Sequence, residues 1–208
     1  MPLTPKITTV IGPRSAEIVR DRIAQILALE LANQATLSGD TWIESPVYIE
    51  RWVPVNVSEC EDSSVIIVSI DNLDKANATP IDSDINLTFS IQVFTSKEAT
   101  ETNDSDVESM FRNQRIVGII DGILSHPYYI YNTLDFEKPF LMKMGVQNAK
   151  FGFSNREESA VLVVGNLSFL VTVAQNEPTN TGEEWTQSET VAKLFDSNKG
   201  FKYIRVNP

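Results

Sequence analysis

Between Ile85 and Phe94 the chain alternates strictly: Ile85, Leu87, Phe89, Ile91 and Val93 are apolar, while Asn86, Thr88, Ser90 and Gln92 are polar. Successive side chains of a strand point to opposite faces, so this segment is predicted to be a strand with one face buried and the other wet. Such a strand needs a second layer over its apolar face, and two long segments with helical periodicity supply one. Gly12-Pro13 opens the first, from about Arg14 to Gln34, with proline suited to a first turn. There Ala16, Val19, Ile23, Ile26, Leu27 and Leu31 recur at steps of three and four, with Arg20, Asp21, Gln25 and Glu30 mainly elsewhere. Ser38-Gly39-Asp40 closes that region as a polar turn. The second helix carries Val107, Met110, Phe111, Val117, Ile120 and Leu124 on one stripe, widened by Ile116, Ile119 and Ile123. Asp104, Ser105 and Asp106 suit its start, and Ser125-His126-Pro127 stops it, because the residue before proline disfavours helix.

Further strands are expected on either side of these helices. Val47 to Val57 has period two, with Val47, Ile49, Val53, Val55 and Val57 on one face, and Pro54 marks an edge or a break. Val65 to Ile70 is an almost unbroken β-branched run, as in a strand covered on both faces. Asp71 to Asp84 is a polar connector, and Ser96 to Asp106 an acidic, exposed excursion. Past a less regular stretch after Tyr128-Tyr129-Ile130-Tyr131, strands are expected at Val146 to Phe153 and Ala160 to Ala174, joined by a hairpin loop at Ser154 to Ser159. Gly165 inside the latter predicts a bulge or bend. From Gln175 to Thr190 the composition turns to Asn, Thr, Glu, Pro and Gly, so the fold proper is expected to end near Ala174. A helical turn at Thr190 to Phe195 and a short strand at Phe201 to Val206 follow. The fold class is therefore α+β: a mostly antiparallel sheet of about four to five strands, two long helices on one face, and a C-terminal extended arm. The division is an N-terminal extension at 1–13, a domain at 14–174, and a polar linker and arm at 175–208.

Charge and scarce residues narrow the chemistry. With 17 Lys plus Arg against 28 Asp plus Glu, the formal charge is −11, and no basic cluster exists to grip nucleic-acid phosphates or an anionic membrane. No run approaches the length of a membrane span, and the first residues lack the apolar core of a secretory signal. One histidine, His126, and one cysteine, Cys60, leave little for a nucleophile and base or for zinc. Cys60 stands between Glu59 and Glu61-Asp62, which would raise its pKa and suppress the thiolate. His126 sits at a helix end, where capping is a better account than general base. Asp82-Ser83-Asp84 and Asp104-Ser105-Asp106 have a spacing that can hold a cation, but neither is followed by the Gly and distal Glu of a calcium loop. Glu157-Glu158 and Glu183-Glu184 read as solvated pairs, and Tyr128 to Tyr131 as core or subunit-interface packing. No glycine-rich phosphate loop is present. No catalytic residue, metal ligand or cofactor is expected, and strands rich in Val and Ile without catalytic groups point to a structural or interaction protein.

In order and texture the chain resembles the tail terminator family of tailed bacteriophages, also called minor tail or tail completion proteins. The resemblance runs from about Arg14 to Ala174. It is carried by the helix Ile18 to Leu27, the strand ending in Val65-Ile66-Ile67-Val68, Leu87 to Val93 leading through a variable loop into Val107 to Leu124, and the closing strand Leu167 to Val173. The polar arm from Gln175 onward departs from it. The resemblance implies a virion protein that catalyses nothing: a homohexameric ring at the tail-neck junction that caps the tail tube, stops its polymerisation and presents the head-joining surface. The implied partners are further copies of itself, the tail tube protein, neck or connector proteins and the sheath protein, with DNA only passing through the pore. Lys97, Glu98, Glu101 and Asp104 are candidates for the loop facing tube, pore or sheath. Trp185, Phe195, Phe201 and Tyr203 are candidates for an arm reaching a neighbour or the neck. Competing readings are another neck component, such as a stopper or head-completion protein, a stand-alone carbohydrate- or protein-binding module, and a carboxylate-metal hydrolase using Asp82 and Asp84.

Overall fold

The computed structural model describes residues 15–60, 63–75, 85–97, 105–131, 134, 141–156, 161–173, 191–196 and 200–205. Helix α1 is Ser15–Ser38, β1 Val47–Ile49, β2 Val65–Lys75 and β3 Ile85–Thr95; α2 is Ser105–Leu124 and α3 Pro127–Tyr131. Then come β4 Leu141–Arg156, β5 Val161–Val173, β6 Val191–Asp196 and β7 Gly200–Arg205. The strands form one sheet in the order β4-β5-β3-β2-β1-β7-β6. Only β1 and β2 run parallel; every other pairing is antiparallel. The fold is α+β, with five strands from the first 173 residues and two more from the C-terminal segment.

Both long helices lie on one face of this sheet and share a single core. Val19, Ile23, Leu27 and Leu31 of α1 and Ile116, Ile120 and Leu124 of α2 meet Leu87, Phe89, Ile91 and Val93 of β3 and Leu167, Phe169 and Val171 of β5. Each such side chain contributes about 1.5–3 kcal/mol of transfer free energy, so the two strands with the cleanest alternation carry the centre of the molecule. Helix α1 runs four residues past the expected Gln34. Thr36 and Ser38 return their hydroxyls to the carbonyls of Ala32 and Gln34, and Gly39 at φ +79° ends the helix by donating its N–H to Ala35 O at 2.9 Å.

The strand expected from Val47 to Val57 stops at Ile49. Glu50 adopts φ 46°, which turns the chain out of the ladder. Its N–H donates to Val68 O at 3.1 Å and its Oε1 accepts the Ile70 N–H at 2.8 Å, so a side-chain carboxylate continues the pairing that the backbone abandons. The following loop folds over the opposite face, where Val55, Val57 and Cys60 pack with Tyr48, Val65, Ile67 and Leu162. Residues 65–68 are thus covered on both sides, as their unbroken apolar run predicts, and β2 continues to Lys75 into what the composition marked as connector.

Gly165 marks neither a bulge nor a bend. Its register is continuous with Val93 on one side and Phe151 on the other. The glycine is there because α2 comes close: a Cβ at 165 would lie 2.3 Å from Asn113 Oδ1 and 2.7 Å from Val117 Cγ2. The bulges fall instead in β2, between Ile70 and Asn72, and at three places along β4.

Two C-terminal expectations are also corrected. Of the helical turn expected at Thr190 to Phe195, residues 191–195 are strand instead, and the fold does not end near Ala174. Residues 191–196 are β6, which pairs with β7, and β7 adds to the open edge of β1 with Val47 opposite Tyr203 and Ile49 opposite Phe201. Cross-strand hydrogen bonds satisfy this short backbone more fully than one isolated helical turn, which must bear the whole nucleation penalty.

Candidate functional site

The β3 end of the loop singled out between β3 and α2 is pinned to the helix. Thr95 Oγ1 donates to Ser109 O at 2.9 Å, and the Lys97 N–H donates to Ser109 Oγ at 2.8 Å, with Ser109 itself fully buried in the first turns of α2. A buried serine thus spends both its oxygen functions on anchoring the incoming strand. Of the proposed loop residues only Lys97 falls within the described chain; Glu98, Glu101 and Asp104 lie outside it, as do Asp82, Asp84, Glu157, Glu158, Glu183, Glu184 and Trp185. Phe195, Phe201 and Tyr203 are placed by their backbone in the β6–β7 hairpin, with Phe195 opposite Phe201. The structure therefore brings the three aromatic arm positions to one sheet edge, away from Lys97 at the end of β3.

Groups with chemical potential are used structurally. Cys60 is buried, and desolvation, followed by the Glu59 carboxylate, pushes its thiol up to about 12. Burial outweighs the charge effect that the sequence alone suggested, and both act against a thiolate. His126 bridges α2 and α3. Its N–H donates to Ile123 O at 3.1 Å, and its Nδ1 accepts the Tyr128 N–H at 3.2 Å, so it caps the start of α3, an element absent from the sequence reading. Of the four residues after Pro127, Tyr129 is buried with its hydroxyl on the Glu30 carboxylate, and Tyr131 is 83% exposed. No group of three or more His, Cys, Asp or Glu stands together among the described residues.

The more informative surface is apolar. Trp52 is 92% exposed on the loop after β1, with Val53 beside it. The loop is held from beneath by Arg51, whose side chain is wholly buried: Nε donates to Val53 O at 2.9 Å, and Nη2 donates to Pro54 O at 3.0 Å and Glu59 Oε1 at 2.9 Å. The guanidinium carbon also lies 5.0 Å from the centre of the Tyr48 ring. On the helix face, Met144 and Val146 of β4 pack against the core, but the strand beyond them is less covered. Register puts Ala149, Phe151 and Phe153 opposite Leu167, Gly165 and Val163, on the helix-facing side of the sheet, yet Phe151 and Phe153 are 44% and 63% exposed. Between them and α2 runs an open groove of about 360 Å³, with Val117, Val146, Ala149, Phe151 and Leu167 as its apolar lining and Gln114, Asp121, Gln147 and Asn148 as its polar one.

Sequence reasoning recognised β4 as a strand but not that Phe151 and Phe153 on its helix-facing side are left exposed. That depends on how far a helix extends across a sheet, which periodicity does not encode. The strand expected from Val47 to Val57 runs through Trp52 because the turn at Glu50 has no glycine or proline to announce it. Comparison of the chain with protein-family models and with curated proteins yields no match.

Proposed function

We propose that this chain is a tail terminator of a tailed bacteriophage: a structural virion protein that forms a hexameric ring on the end of the completed tail tube, stops its growth and offers the surface to which the head's neck proteins join. The observation that supports this reading is the arrangement around α2. A strand of the central sheet, its end tied to Ser109 of α2, leads through an acidic loop into that long helix, which shares one core with α1. That order of helix, strands, loop, helix and closing hairpin is the one on which the resemblance rests. The mechanism is geometric, since a ring whose outer face differs from the tube subunit offers no template for a further tube ring. The −11 charge fits a pore that duplex DNA traverses without adhering, provided carboxylates line the lumen.

Negative-stain imaging of the protein mixed with purified tail tubes tests this directly. Rings at one tube end are the expected result, and tubes with bare ends at saturating protein would sink the proposal. The role of the C-terminal segment in head joining calls for point changes, because deleting residues 176–208 also strips β6 and β7 from the sheet. Trp185→Ala is expected to leave rings on tubes but lower the yield of joined particles. Unchanged yield would remove Trp185 from the joining surface.

A further inference from the structure

We propose that the Trp52 loop of one copy docks into the groove between α2 and β4 of the next copy. This deepens the ring reading and rests on it for closure of the assembly. Trp52 and Val53 form a convex apolar tip on a loop held by a buried guanidinium, so little freedom remains to be lost on binding. Tryptophan in such a setting is the residue type most enriched among interface hot spots. The groove is its concave counterpart: its 360 Å³ exceeds twice the roughly 150 Å³ that accepts a benzene ring. On its α2 side Gly118 is exposed and presents no side chain, and a Cβ there would meet nothing within 4 Å.

The occupant is a second copy for two reasons. Trp52 stands free of its own groove, on the loop that covers the sheet face away from the helices, whereas the groove opens on the helix face. Two copies that each carry −11 also repel, and they can approach closely only where carboxylates are sparse. The tip Trp52-Val53-Pro54 has no charge, and among the described residues Asp121 is the one charged residue lining the groove, beside the neutral Gln114, Gln147 and Asn148. Because tip and groove are different patches, the contact is heterologous, the kind that propagates head to tail and closes into a ring when the rotation permits. The apolar strip continues past the groove, along the same helix stripe to Phe111 and along the same strand face to Phe153, both exposed.

Two single-cysteine proteins, Trp52→Cys and Phe151→Cys, are mixed and oxidised mildly; native Cys60 is buried and contributes little background. The mixed disulfide is expected to exceed that of a Trp52→Cys and Leu37→Cys control by at least about tenfold, as proximity raises effective concentration. Equal yields overturn the interface, as does an intrachain disulfide in the dilute Trp52→Cys/Phe151→Cys double variant, which would make the chain its own occupant. Gly118→Gln fills the groove while favouring the helix, and is expected to weaken self-association at least about tenfold with no loss of folding; unchanged association overturns the proposal. Tube-end imaging is read separately: cross-linking without rings on tubes would sink the terminator reading, and rings without the cross-link would sink this interface alone.

Discussion

At Gly165 two elements approach closer than any side chain allows. Asn113 of α2 sends its Nδ2 to Val93 O at 2.8 Å, to Thr95 Oγ1 at 3.1 Å and to Val163 O at 3.4 Å, which ties the helix to β3 and β5 together. Its Oδ1 occupies the space that a Cβ at 165 would need. Gly165→Ala is therefore expected to destabilise the protein by about 1–3 kcal/mol through overpacking. Urea unfolding measures this, and a cycle with Asn113→Ala should recover part of the loss. Additive effects would show that the two sites do not meet. Cys60 offers a second test at this scale. The unfolded thiol ionises near its ordinary 9.0 and the buried one near 12. Below pH 9 both states keep the proton and stability is intact. From pH 9 to 12 only the unfolded state releases it, so stability falls by about 1.4 kcal/mol per pH unit, about 4 kcal/mol in all. Cys60→Ala should lack that increment, seen as a gap between the two proteins' unfolding free energies that narrows from pH 8 to pH 10. Parallel profiles would mean that the thiol is ionisable in place.

Elements differ in how plainly their residues announce them. The alternation from Ile85 to Val93 and the unbroken Val65 to Val68 each correspond to one burial pattern, and both segments are buried in that pattern. The stripe Val19, Ile23, Leu27, Leu31 likewise foretold the core face of α1. By contrast, β1 ends after three residues where the alternation extends over eleven, because nothing in Glu50 advertises a left-handed backbone. Its role depends on Ile70, 20 residues away, whose N–H it accepts. In the C-terminal hairpin the strand expected at Phe201 to Val206 is β7, whereas β6 and the pairing of β7 with β1 were illegible for the same reason, since they depend on residues far away in sequence. The exposed apolar tip was missed because Arg51, a residue type rarely buried, turns inward. Arg51→Ala is expected to destabilise the protein by about 2–4 kcal/mol, at or below the usual figure for breaking a buried pair because Glu59 is partly exposed. The loop at 52–54 should then be the first site of limited proteolysis, and an unaltered digestion pattern would show that the guanidinium does not hold it.

On the scale of the molecule, −11 acts between copies more than within one. The Debye length shrinks from about 30 Å at 0.01 M salt to about 8 Å at 0.15 M. Self-association through an apolar tip and groove should therefore tighten as salt rises over that range, as read by sedimentation equilibrium. Weakening would show that pairing of unlike charges holds the copies together.

The position of β7 beside β1 has a temporal side. Val47 and Tyr203 are neighbours in the sheet but belong to opposite ends of the chain, and bringing such distant segments together is slow because a long loop must close first. While the ribosome is still making the segment before residue 200, β1 has only β2 for company and its other edge is open. Completion of the sheet thus waits until residues 200–205 have been made, and a chain released before them would present an open β1 edge instead of a finished sheet to its neighbours.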